Sequence, residues 1–321
     1  MMFPQAGRRR HVNGVVLLDK PEGIGSNQAL QRIRRLYRAE KAGHIGTLDP
    51  LATGVLPICF GEATKFGAAG MEADKVYRFQ IRLGVTTTTG DREGTVLECR
   101  PVVGIDEQAV RAALPALVGA IQQVPPVYSA IKIDGRPAYA HAREGNVPEM
   151  SARTVHVHGL ELLAFAGENL TLRAHVGKGT YVRALATDLG LALGCGAHVV
   201  ELRREAVGCH DLGQTVTLTA LESMTEAERD ALLEPVDFLL DGMASIEVAT
   251  HDAERLAQGQ AVAVDANSAG RLKVYGAGRF LGLADAEEGR LKPRRWCAAT
   301  SPSTTPGYPP APAGRRIAPS S

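Results

Sequence analysis

The chain contains the loop-like segment Gly43-His44-Ile45-Gly46-Thr47-Leu48-Asp49-Pro50-Leu51-Ala52-Thr53-Gly54, followed at once by an apolar run over residues 55–60. Because Pro50 fixes its own φ and biases the preceding residue toward extended backbone, Asp49 cannot lie inside a helix. Three glycines permit close backbone approach around it. The apolar run is typical of a buried strand. The stretch predicts one carboxylate on a stiff loop beside a core strand, although a plain Asp-capped turn has the same signature.

The flanking sequence mixes strand and helix patterns. Two segments read as strands, residues 15–18 and the cleanly alternating residues 76–83. Three segments have apolar residues at helical spacing, namely residues 27–38, 106–118 and 181–193. The pattern changes near residues 235–245, and short glycine-bounded strands follow at 261–264, 272–275 and 279–283, as in a small barrel. The sequence thus predicts a larger part of mixed α and β structure and a small β module.

Composition sets only broad limits on function. The 321 residues are 45% hydrophobic and 22% charged, with a formal net charge of +1, so there is room for two domains and no global sign of nucleic-acid binding. Basic residues cluster locally, in an arm at residues 1–12 that contains Arg8-Arg9-Arg10-His11 and in a segment with Arg32, Arg34, Arg35, Arg38 and Lys41. Either a solvated helix face or a phosphate-contacting face fits this segment.

Cysteine usage predicts a protein of the reducing cytoplasm without a zinc site. The five cysteines form no CxxC pair, and an odd count without a signal peptide favours a reducing cytoplasm. No apolar run approaches membrane-spanning length. A zinc site from Cys195, His198, Cys209 and His210 is disfavoured, since the last two are sequence neighbours. Gly177-Lys178-Gly179-Thr180 lacks the upstream glycine of a phosphate-binding loop.

Six blocks, in order along the chain, resemble the TruB-type tRNA pseudouridine-55 synthases. They cover roughly residues 12–298 and comprise residues 14–23 with Ser26-Asn27, residues 42–65, Asp74-Lys75-Val76-Tyr77-Arg78, Tyr128-Ser129-Ala130-Ile131-Lys132, Gly177-Lys178-Gly179-Thr180-Tyr181-Val182-Arg183, and Gly194-Cys195-Gly196-Ala197-His198 leading to Leu202-Arg203-Arg204. Six collinear blocks are far more specific than one short pattern.

The resemblance implies an α+β fold, with a mainly antiparallel mixed sheet flanked by helices and a small C-terminal barrel-like PUA module. It assigns residues 13–236 to the catalytic domain, with an insertion at 124–153 that grips the T-arm of tRNA, and residues 246–298 to the PUA-like module. The first 12 residues form a basic arm. Residues 299–321, six of them proline from residue 300 onward, are predicted to be a disordered tail.

The resemblance also assigns the chemistry. Asp49 is expected to act as nucleophile while the N-glycosidic bond of the uridine at position 55 breaks, the base turns and a carbon–carbon bond forms. No redox cofactor or nucleotide is required. Attack on the sugar, attack on the base and proton shuttling all remain open for the carboxylate. An ionised acid in an enclosed pocket needs a cation, and Arg183 occupies the family position for it.

The target base must be flipped out of the tRNA elbow, and four residues are expected to receive it. By resemblance, His44 takes the place of the expelled base, Tyr77 lies against the flipped uracil with a catalytic role, and Tyr181 and Leu202 complete the pocket. The chain departs from the family pattern at Ile45, where a polar residue is common. It also keeps one acid, Asp91, where two are usual, and Asp91 is expected to be a partner of the site without a catalytic role.

Two rival functions remain open. A guide-RNA-dependent synthase that modifies ribosomal RNA would share the Asp49 motif, whereas the insertion at 124–153 favours a stand-alone monomer acting on tRNA without an obligate protein partner or a membrane. A silent RNA-binding or folding factor would not need the pocket carboxylate or Arg183. The sequence therefore predicts a tRNA-modifying isomerase.

Overall fold

A computed structural model describes residues 8–129, 131–146 and 148–298, so the predicted proline-rich tail lies outside the described residues. The strands in this part of the chain are β1 Gly14–Lys20, β2 Ala42–His44, β3 Thr53–Phe60, β4 Lys75–Leu83, β5 Val85–Thr87, β6 Val96–Cys99, β7 Gly119–Gln123, β8 Lys132–Ile133, β9 Arg136–Pro137, β10 Arg153–Ala166, β11 Asn169–Val176, β12 Ala197–Val207, β13 His210–Asp211, β14 Val216–Thr217, β15 Ser245–Glu247, β16 Val262–Ala263, β17 Gly270–Gly276, β18 Arg279–Glu287 and β19 Arg290–Trp296. The helices are α1 Ser26–Leu36, α2 Gly67–Met71, α3 Glu107–Ala113, α4 Ala138–Arg143, α5 Val182–Ala192, α6 Leu218–Ser223, α7 Glu226–Asp230 and α8 Thr250–Ala257.

One large mixed sheet forms the body of the N-terminal part, which precedes residue 245. Its strand order is β14-β1-β3-β12-β4-β11-β10-β7, with β2 added to β3 and β13 added to β12. The β1–β14 and β3–β12 pairs are parallel and the other pairs are antiparallel. The predicted mainly antiparallel mixed sheet is therefore confirmed. Strand β12 pairs with both β3 and β4, which places the chain after residue 196 beside the Asp49 loop.

The two faces of the sheet follow from alternation along each strand. In β4, Tyr77, Phe79 and Ile81 are buried, while the intervening side chains are partly or fully exposed. Because successive side chains point to opposite faces, one face packs against the helices and the other faces solvent. The buried face joins α1 and α5 in one core. A second, smaller core lies on the other side of β1 and β3.

The predicted helices are present with shifted ends. Residues 27–38 and 181–193 are close to the observed α1 and α5. The helix predicted over 106–118 was too long: α3 ends at Ala113 and a 3₁₀ turn, Leu114–Leu117, follows. Pro115 has no N–H to donate and its ring conflicts with the preceding turn of a helix, which accounts for the early end. Asp106 caps α3, accepting a hydrogen bond from the Ala109 N–H at 2.8 Å.

The C-terminal strands form a separate five-stranded sheet in the order β15-β17-β18-β19-β16. Its own core includes Leu256, Val274 and Leu291, all almost completely buried. A small cluster of Phe66, Leu240 and Leu283 joins this module to the N-terminal part. The three predicted strands correspond to β16, β17 and β18, so the predicted small β module is confirmed.

A polar contact also links the C-terminal sheet to the N-terminal part. Buried Asp237 accepts a hydrogen bond from the Tyr275 hydroxyl and lies 3.8 Å from Lys273 Nζ, which ties the C-terminal sheet to the N-terminal part.

The segment 124–153 contains the short β8–β9 hairpin and α4, and Arg136 pairs with Glu144 within it. It therefore has short elements of its own beyond the edge of the large sheet.

Candidate functional site

The loop that carries Asp49 connects β2 to β3 and is tied down on both sides. The Leu48 N–H donates to Ser26 Oγ at 2.7 Å, and Ser26 Oγ donates back to the Leu48 carbonyl at 3.0 Å. The Gly23 N–H donates to the Pro50 carbonyl at 2.9 Å. At the start of β3, Gly54 has φ +101°, and a Cβ there would lie 2.1 Å from the Arg204 carbonyl oxygen. The loop is thus fixed against α1 and β12, and only glycine fits where it enters the sheet.

Asp49 and Arg183 form the ion pair that the resemblance predicted. Arg183 Nε lies 3.0 Å from Asp49 Oδ2. The Arg183 side chain is 4% exposed, whereas that of Asp49 is 34% exposed. Arg183 stands in the first turn of α5, two residues after the cap residue Tyr181. The arginine is therefore a buried cation and not part of a surface ion pair, and the carboxylate it supports remains open to a ligand.

The Arg183 guanidinium is held by three further groups. Nη1 donates to the Thr89 carbonyl at 2.9 Å and lies 3.5 Å from Asp91 Oδ2. Nη2 donates to the Tyr128 carbonyl at 2.8 Å. Asp91, expected from sequence to be only a partner of the site, is buried and completes an Asp49–Arg183–Asp91 chain of charges. Every donor nitrogen of this guanidinium faces an acceptor, so its orientation is set before any substrate arrives.

The pKa of Asp49 is raised above its ordinary value of 3.8. Burial of the carboxylate is the main cause, and the negative charge of Asp91 acts in the same direction. The positive charges of Arg183 and, to a smaller extent, Lys20 lower the pKa and oppose this effect. Raised pKa values of buried acids next to a specific partner are typical of functional sites.

A cavity of about 550 Å³ opens over this pair. Tyr77, Tyr181, Leu202 and Arg183 line it together with Asp49. Tyr77 and Leu202 come from adjacent strands, and both are nearly buried. Burial raises the pKa of Tyr181, so its hydroxyl stays protonated. The structure thus brings five of the six residues predicted from sequence to one cavity.

His44, the sixth predicted residue, lies in β2 and is not among the residues that line the cavity. Its Nδ1 is buried, without a hydrogen-bond partner among the described residues. Burial lowers the pKa of His44, and the positive charge of Arg204 lowers it further. The imidazole is therefore neutral near pH 7, with one ring nitrogen unpaired inside the protein.

Two of the buried cations near the site, Arg204 and Lys20, hold the Asp49 loop and were not predicted as site residues from the sequence. Arg204 is 1% exposed and donates from Nε to the Val55 carbonyl at 2.7 Å and from Nη2 to the Gly46 carbonyl at 2.8 Å. Lys20 is completely buried and donates to the Ile24 carbonyl at 2.6 Å, with the Pro50 carbonyl at 3.4 Å. Burial lowers the pKa of Lys20 to about 8. The two cations therefore donate hydrogen bonds to backbone carbonyls on either side of Asp49.

The alternation of β12 could have revealed Arg204. Leu202 and Arg204 are two residues apart on one strand, so they share a face, and Leu202 was already predicted to face the pocket. Ile45, the departure from the family pattern, is 5% exposed and packs in the second core with Val15 and Val55. Its side chain is a core contact and its N–H donates to the Pro57 carbonyl at 3.0 Å.

The residues considered for a zinc site are used in other ways. His198 Nδ1 lies 2.9 Å from the Val85 carbonyl oxygen. Cys209 and His210 lie next to Asp241 instead of joining Cys195 and His198. Cys195 is buried, and its thiol donates to the Gly196 carbonyl at 3.4 Å. Cys195 and His198 are thus engaged by backbone carbonyls, and Cys209 and His210 lie apart from them.

Several of the basic residues predicted to contact phosphate are engaged within the protein. Arg38 pairs with Glu226 at 2.6 Å, and Arg34 donates to the Glu40 carbonyl at 2.8 Å. Arg10 of the N-terminal arm is 2.5 Å from Asp230. The remaining members of the basic segment, Arg32, Arg35 and Lys41, have partly or fully exposed side chains. The predicted basic face is therefore smaller than the sequence suggests.

Comparison with known proteins identifies the chain's relatives. Residues 34–182 match the family described as TruB family pseudouridylate synthase (N terminal domain). Residues 183–241 match the tRNA pseudouridylate synthase B C-terminal domain, and residues 244–296 match Pseudouridine synthase II TruB, C-terminal. The three matches together span almost all of the described chain.

Whole-chain relatives and solved structures agree with these matches. The tRNA pseudouridine synthase B of Aromatoleum aromaticum is 50% identical over 90% of this chain and 94% of its own length. That of Burkholderia mallei is 53% identical over 89% of this chain and 97% of its own length. The archaeal box H/ACA sRNP Nop10–Cbf5 complex contains a chain with a TM-score of 0.65 at 25% identity, covering 90% of this chain and 84% of that one. The present chain belongs to the TruB family of pseudouridylate synthases.

Proposed function

We propose that this chain isomerises the uridine at position 55 in the T-arm of tRNA to pseudouridine. Family membership and half-identical relatives named tRNA pseudouridine synthase B support the reaction. The observation that carries the proposal is the Asp49–Arg183 ion pair at the base of an open cavity, 3.0 Å between Nε and Oδ2. A protein that only binds or folds RNA has no use for a half-buried carboxylate with its own buried cation.

Asp49 is the proposed nucleophile, and Arg183 keeps it ionised and oriented. The carboxylate acts only in its charged form, while burial favours the neutral form. Arg183 offsets this penalty by charge and by a hydrogen-bonding geometry fixed through Asp91 and two carbonyls. Lys20 and Arg204 hold the backbone around Asp49, which keeps the attacking oxygen in place while the detached base turns.

The rest of the cavity is proposed to hold the flipped base. Tyr77 offers an aromatic ring next to Asp49, and Tyr181 and Leu202 supply apolar walls. Every base has a π-face, so stacking on Tyr77 stabilises the flipped uracil by roughly 1–3 kcal/mol. His44, a neutral planar ring with an unpaired nitrogen, is proposed to take the vacated position in the RNA stack.

Substitution of Tyr77 tests the base pocket. Tyr77→Ala is expected to slow single-turnover modification by about 5- to 150-fold, the range that corresponds to the stacking energy. Binding of tRNA should change little, because most contacts lie elsewhere. Tyr77→Phe keeps the ring and separates stacking from any role of the hydroxyl. An unchanged single-turnover rate in Tyr77→Ala would contradict a base-contacting role.

We also propose which segments of the chain carry out the chemistry and which bind the RNA. Residues 13–236 share the large sheet and carry the chemistry, while residues 246–298, with a core of their own, add contacts to the RNA. The insertion at 124–153 is proposed to grip the T-arm, since its exposed Lys132 and its hairpin lie beyond Ser129 at the cavity. The arm at 1–12 and residues 299–321 are assigned no part in the chemistry.

We place the enzyme in the cytoplasm as a monomer that works without a guide RNA or an obligate protein partner. In the part of the chain that the structure describes, no helix has both the length and the apolar character to cross a membrane. The structural likeness to a chain of an archaeal H/ACA particle keeps a guided activity as the rival. The half-identical bacterial relatives favour tRNA.

Incubation of the purified chain with an unmodified tRNA transcript tests the proposal. The expected product is one pseudouridine at position 55, detected by chemical probing and by mass spectrometry after cyanoethylation. A transcript with cytidine at position 55 is the matched control and should remain unmodified. Absence of product on bare tRNA, with product on ribosomal RNA only in the presence of a guide particle, would establish the rival function.

A further inference from the structure

Three side chains meet on the solvent face of the large sheet, outside the cavity lining. His175 is in β11 and His158 is in the neighbouring β10, while Asp74 immediately precedes β4, the strand on the other side of β11. In the strand register His175 is opposite Val76 of β4, and the bulge between Val157 and Gly159 of β10 brings His158 beside it. The cluster is built on paired strands and not on a loose loop.

The distances within this cluster match what one metal ion requires. His158 Nε2 lies 3.2 Å from Asp74 Oδ1, and His175 Nε2 lies 3.7 Å from Asp74 Oδ2. One ligand atom from each of the three residues lies within 4.8 Å of the other two. A tetrahedral ion about 2.1 Å from each donor places the donors about 3.4 Å apart. Both imidazole–carboxylate separations are close to this value, one to each oxygen of Asp74.

The donor atoms are also available. The three side chains are 33%, 51% and 44% exposed for His158, His175 and Asp74. Among the described residues Asp74 has no lysine or arginine within ion-pair distance, because the nearby Lys75 Nζ donates instead to the carbonyls of Met71 and Ala73. The His158 and His175 rings lie 4.6 Å apart, which keeps both imidazoles on the same side of the carboxylate.

A second cluster, Cys209, His210 and Asp241, lacks this availability. His210 Nε2 is 3.1 Å from the Phe238 carbonyl oxygen, so that nitrogen carries a proton and donates it. The same Nε2 lies 3.7 Å from Cys209 Sγ, but its proton is directed to the carbonyl, and the buried ring is stacked on Phe238 at 4.1 Å, so this nitrogen offers no free lone pair to a metal ion. This contrast makes the second cluster an internal control for the first.

We propose that Asp74, His158 and His175 form a binding site for one divalent transition-metal ion of the zinc type. Two imidazoles and one carboxylate suit Zn²⁺ and Ni²⁺, whereas Mg²⁺ prefers oxygen donors and retains its water. Three protein ligands leave a fourth position open to solvent. A bound ion would cross-link β4, β10 and β11 beside the cavity, since Lys75 and Val176 of these strands line it.

Isothermal titration calorimetry of the untagged full-length chain with ZnCl₂ tests the site. We expect saturable binding that Mg²⁺ does not reproduce, and a rise in melting temperature with Zn²⁺. Asp74→Asn, His158→Ala and His175→Ala should each weaken this binding at least about tenfold. All three side chains are on the surface, and a melting curve without metal verifies that each variant is folded.

The control variant is Asp241→Asn, which alters the second cluster and should leave the binding unchanged. If the wild-type chain binds two ions, the His158→Ala variant should retain one. The proposal is overturned if no saturable binding occurs below about 100 μM Zn²⁺. It is equally overturned if the His158 and His175 variants bind like the wild type, or if Asp241→Asn alone removes the binding.

Discussion

The loop around Asp49 and the C-terminal sheet use charge in opposite ways. Around Asp49, the cations Lys20, Arg183 and Arg204 are each at most 4% exposed and donate to backbone carbonyls and acids. In the C-terminal sheet, Asp285 accepts from Arg271 at 2.9 Å and from Arg294 at 2.6 Å on the open surface. The loop region thus buries these three cations, whereas the C-terminal sheet keeps Arg271 and Arg294 on its surface.

The energetic consequences of these arrangements differ. Taking a charge out of water costs several kcal/mol even in a relaxed protein, whereas an exposed pair contributes about 0–1 kcal/mol. Three buried cations within one loop system therefore represent a substantial cost, which is offset by carbonyl dipoles and two acids. Such a cost is expected where an acid must remain ionised and immobile. The exposed pairs of the C-terminal sheet instead leave charges that RNA phosphates can approach.

Removal of the Asp49 carboxylate is expected to have the largest effect. Asp49→Asn keeps the size of the side chain but cannot act as a nucleophile, so pseudouridine formation should fall by more than about three orders of magnitude. Binding of tRNA should remain similar, because binding rests on surfaces outside the cavity. Single-turnover assays and filter binding measure the two quantities. Asp241→Asn, an exposed acid, is the matched control and should be fully active.

Detectable turnover in Asp49→Asn above a wild-type contamination control would remove Asp49 from the role of nucleophile. A large loss of tRNA affinity in the same variant would show that the loop around Asp49 also contributes to tRNA binding. Either result would break the distinction between a region for chemistry and a region for contacts.

Replacement of Arg183 should shift the pH dependence of the reaction. Activity requires ionised Asp49, so it falls as pH drops through the raised pKa of this residue. Arg183 lowers that pKa; hence Arg183→Met should move the acid limb of the rate profile to higher pH, and Arg183→Lys should move it less. We also expect stability to fall by about 3 kcal/mol, at the lower end for a broken buried pair since Asp49 is one third exposed.

Asp91→Asn should shift the acid limb of the rate profile in the opposite direction. The charge of Asp91 raises the pKa of Asp49, so its removal should move the acid limb to lower pH. Rate profiles measured under single-turnover conditions, with melting curves at each pH, separate catalysis from unfolding. If the Arg183 and Asp91 variants both shift the acid limb of the rate profile in the same direction, that limb does not reflect the ionisation of Asp49.

The sequence predicted the Asp49–Arg183 pair because both residues stand in motifs that carry the resemblance. It predicted β4 because alternation over nine residues is a local property. The predicted end of α3 was wrong, since the periodicity continued past Pro115 while the backbone could not. Elements with a strong local pattern were thus predictable, and their ends depended on single residues.

Long-range contacts were harder to predict. Arg203 and Arg204 are adjacent and chemically alike, yet one is half-exposed beside Asp19 and the other is completely enclosed. Asp74, His158 and His175 meet only because β4, β11 and β10 are neighbours in that order, with a bulge that sets the register. Pairing of exposed charges, such as Arg38 with Glu226 across 188 residues, likewise requires the folded chain.

Arg204→Met should reduce the rate by about ten- to a hundredfold with little change in tRNA affinity. It removes the charged donor that Arg204 offers to the Gly46 and Val55 carbonyls, at about 1.5–3 kcal/mol for each hydrogen bond, and loosens the Asp49 loop, where a displacement of about 1 Å is costly. Arg203→Met is the matched control and should be nearly normal in rate. Equal rate reductions in the two variants would show that the buried position has no special role.

The smallest effects are expected in the C-terminal sheet, where we compare basic residues that pair with an acid and basic residues that do not. Lys292 lies 3.4 Å from Glu287 and Arg294 pairs with Asp285, whereas no such acid pairs with Arg290 or Arg295 among the described residues. The Arg290→Ala/Arg295→Ala double variant should reduce the log–log salt slope of tRNA binding by about 0.7–0.9 for each phosphate that is no longer neutralised, with the saturating rate unchanged. Lys292→Ala/Arg294→Ala, which removes the same charge from paired positions, should alter the slope less. Equal slopes in the two double variants would mean that the ion pairs open when tRNA binds, and a fall in the saturating rate would place this sheet within the catalytic machinery.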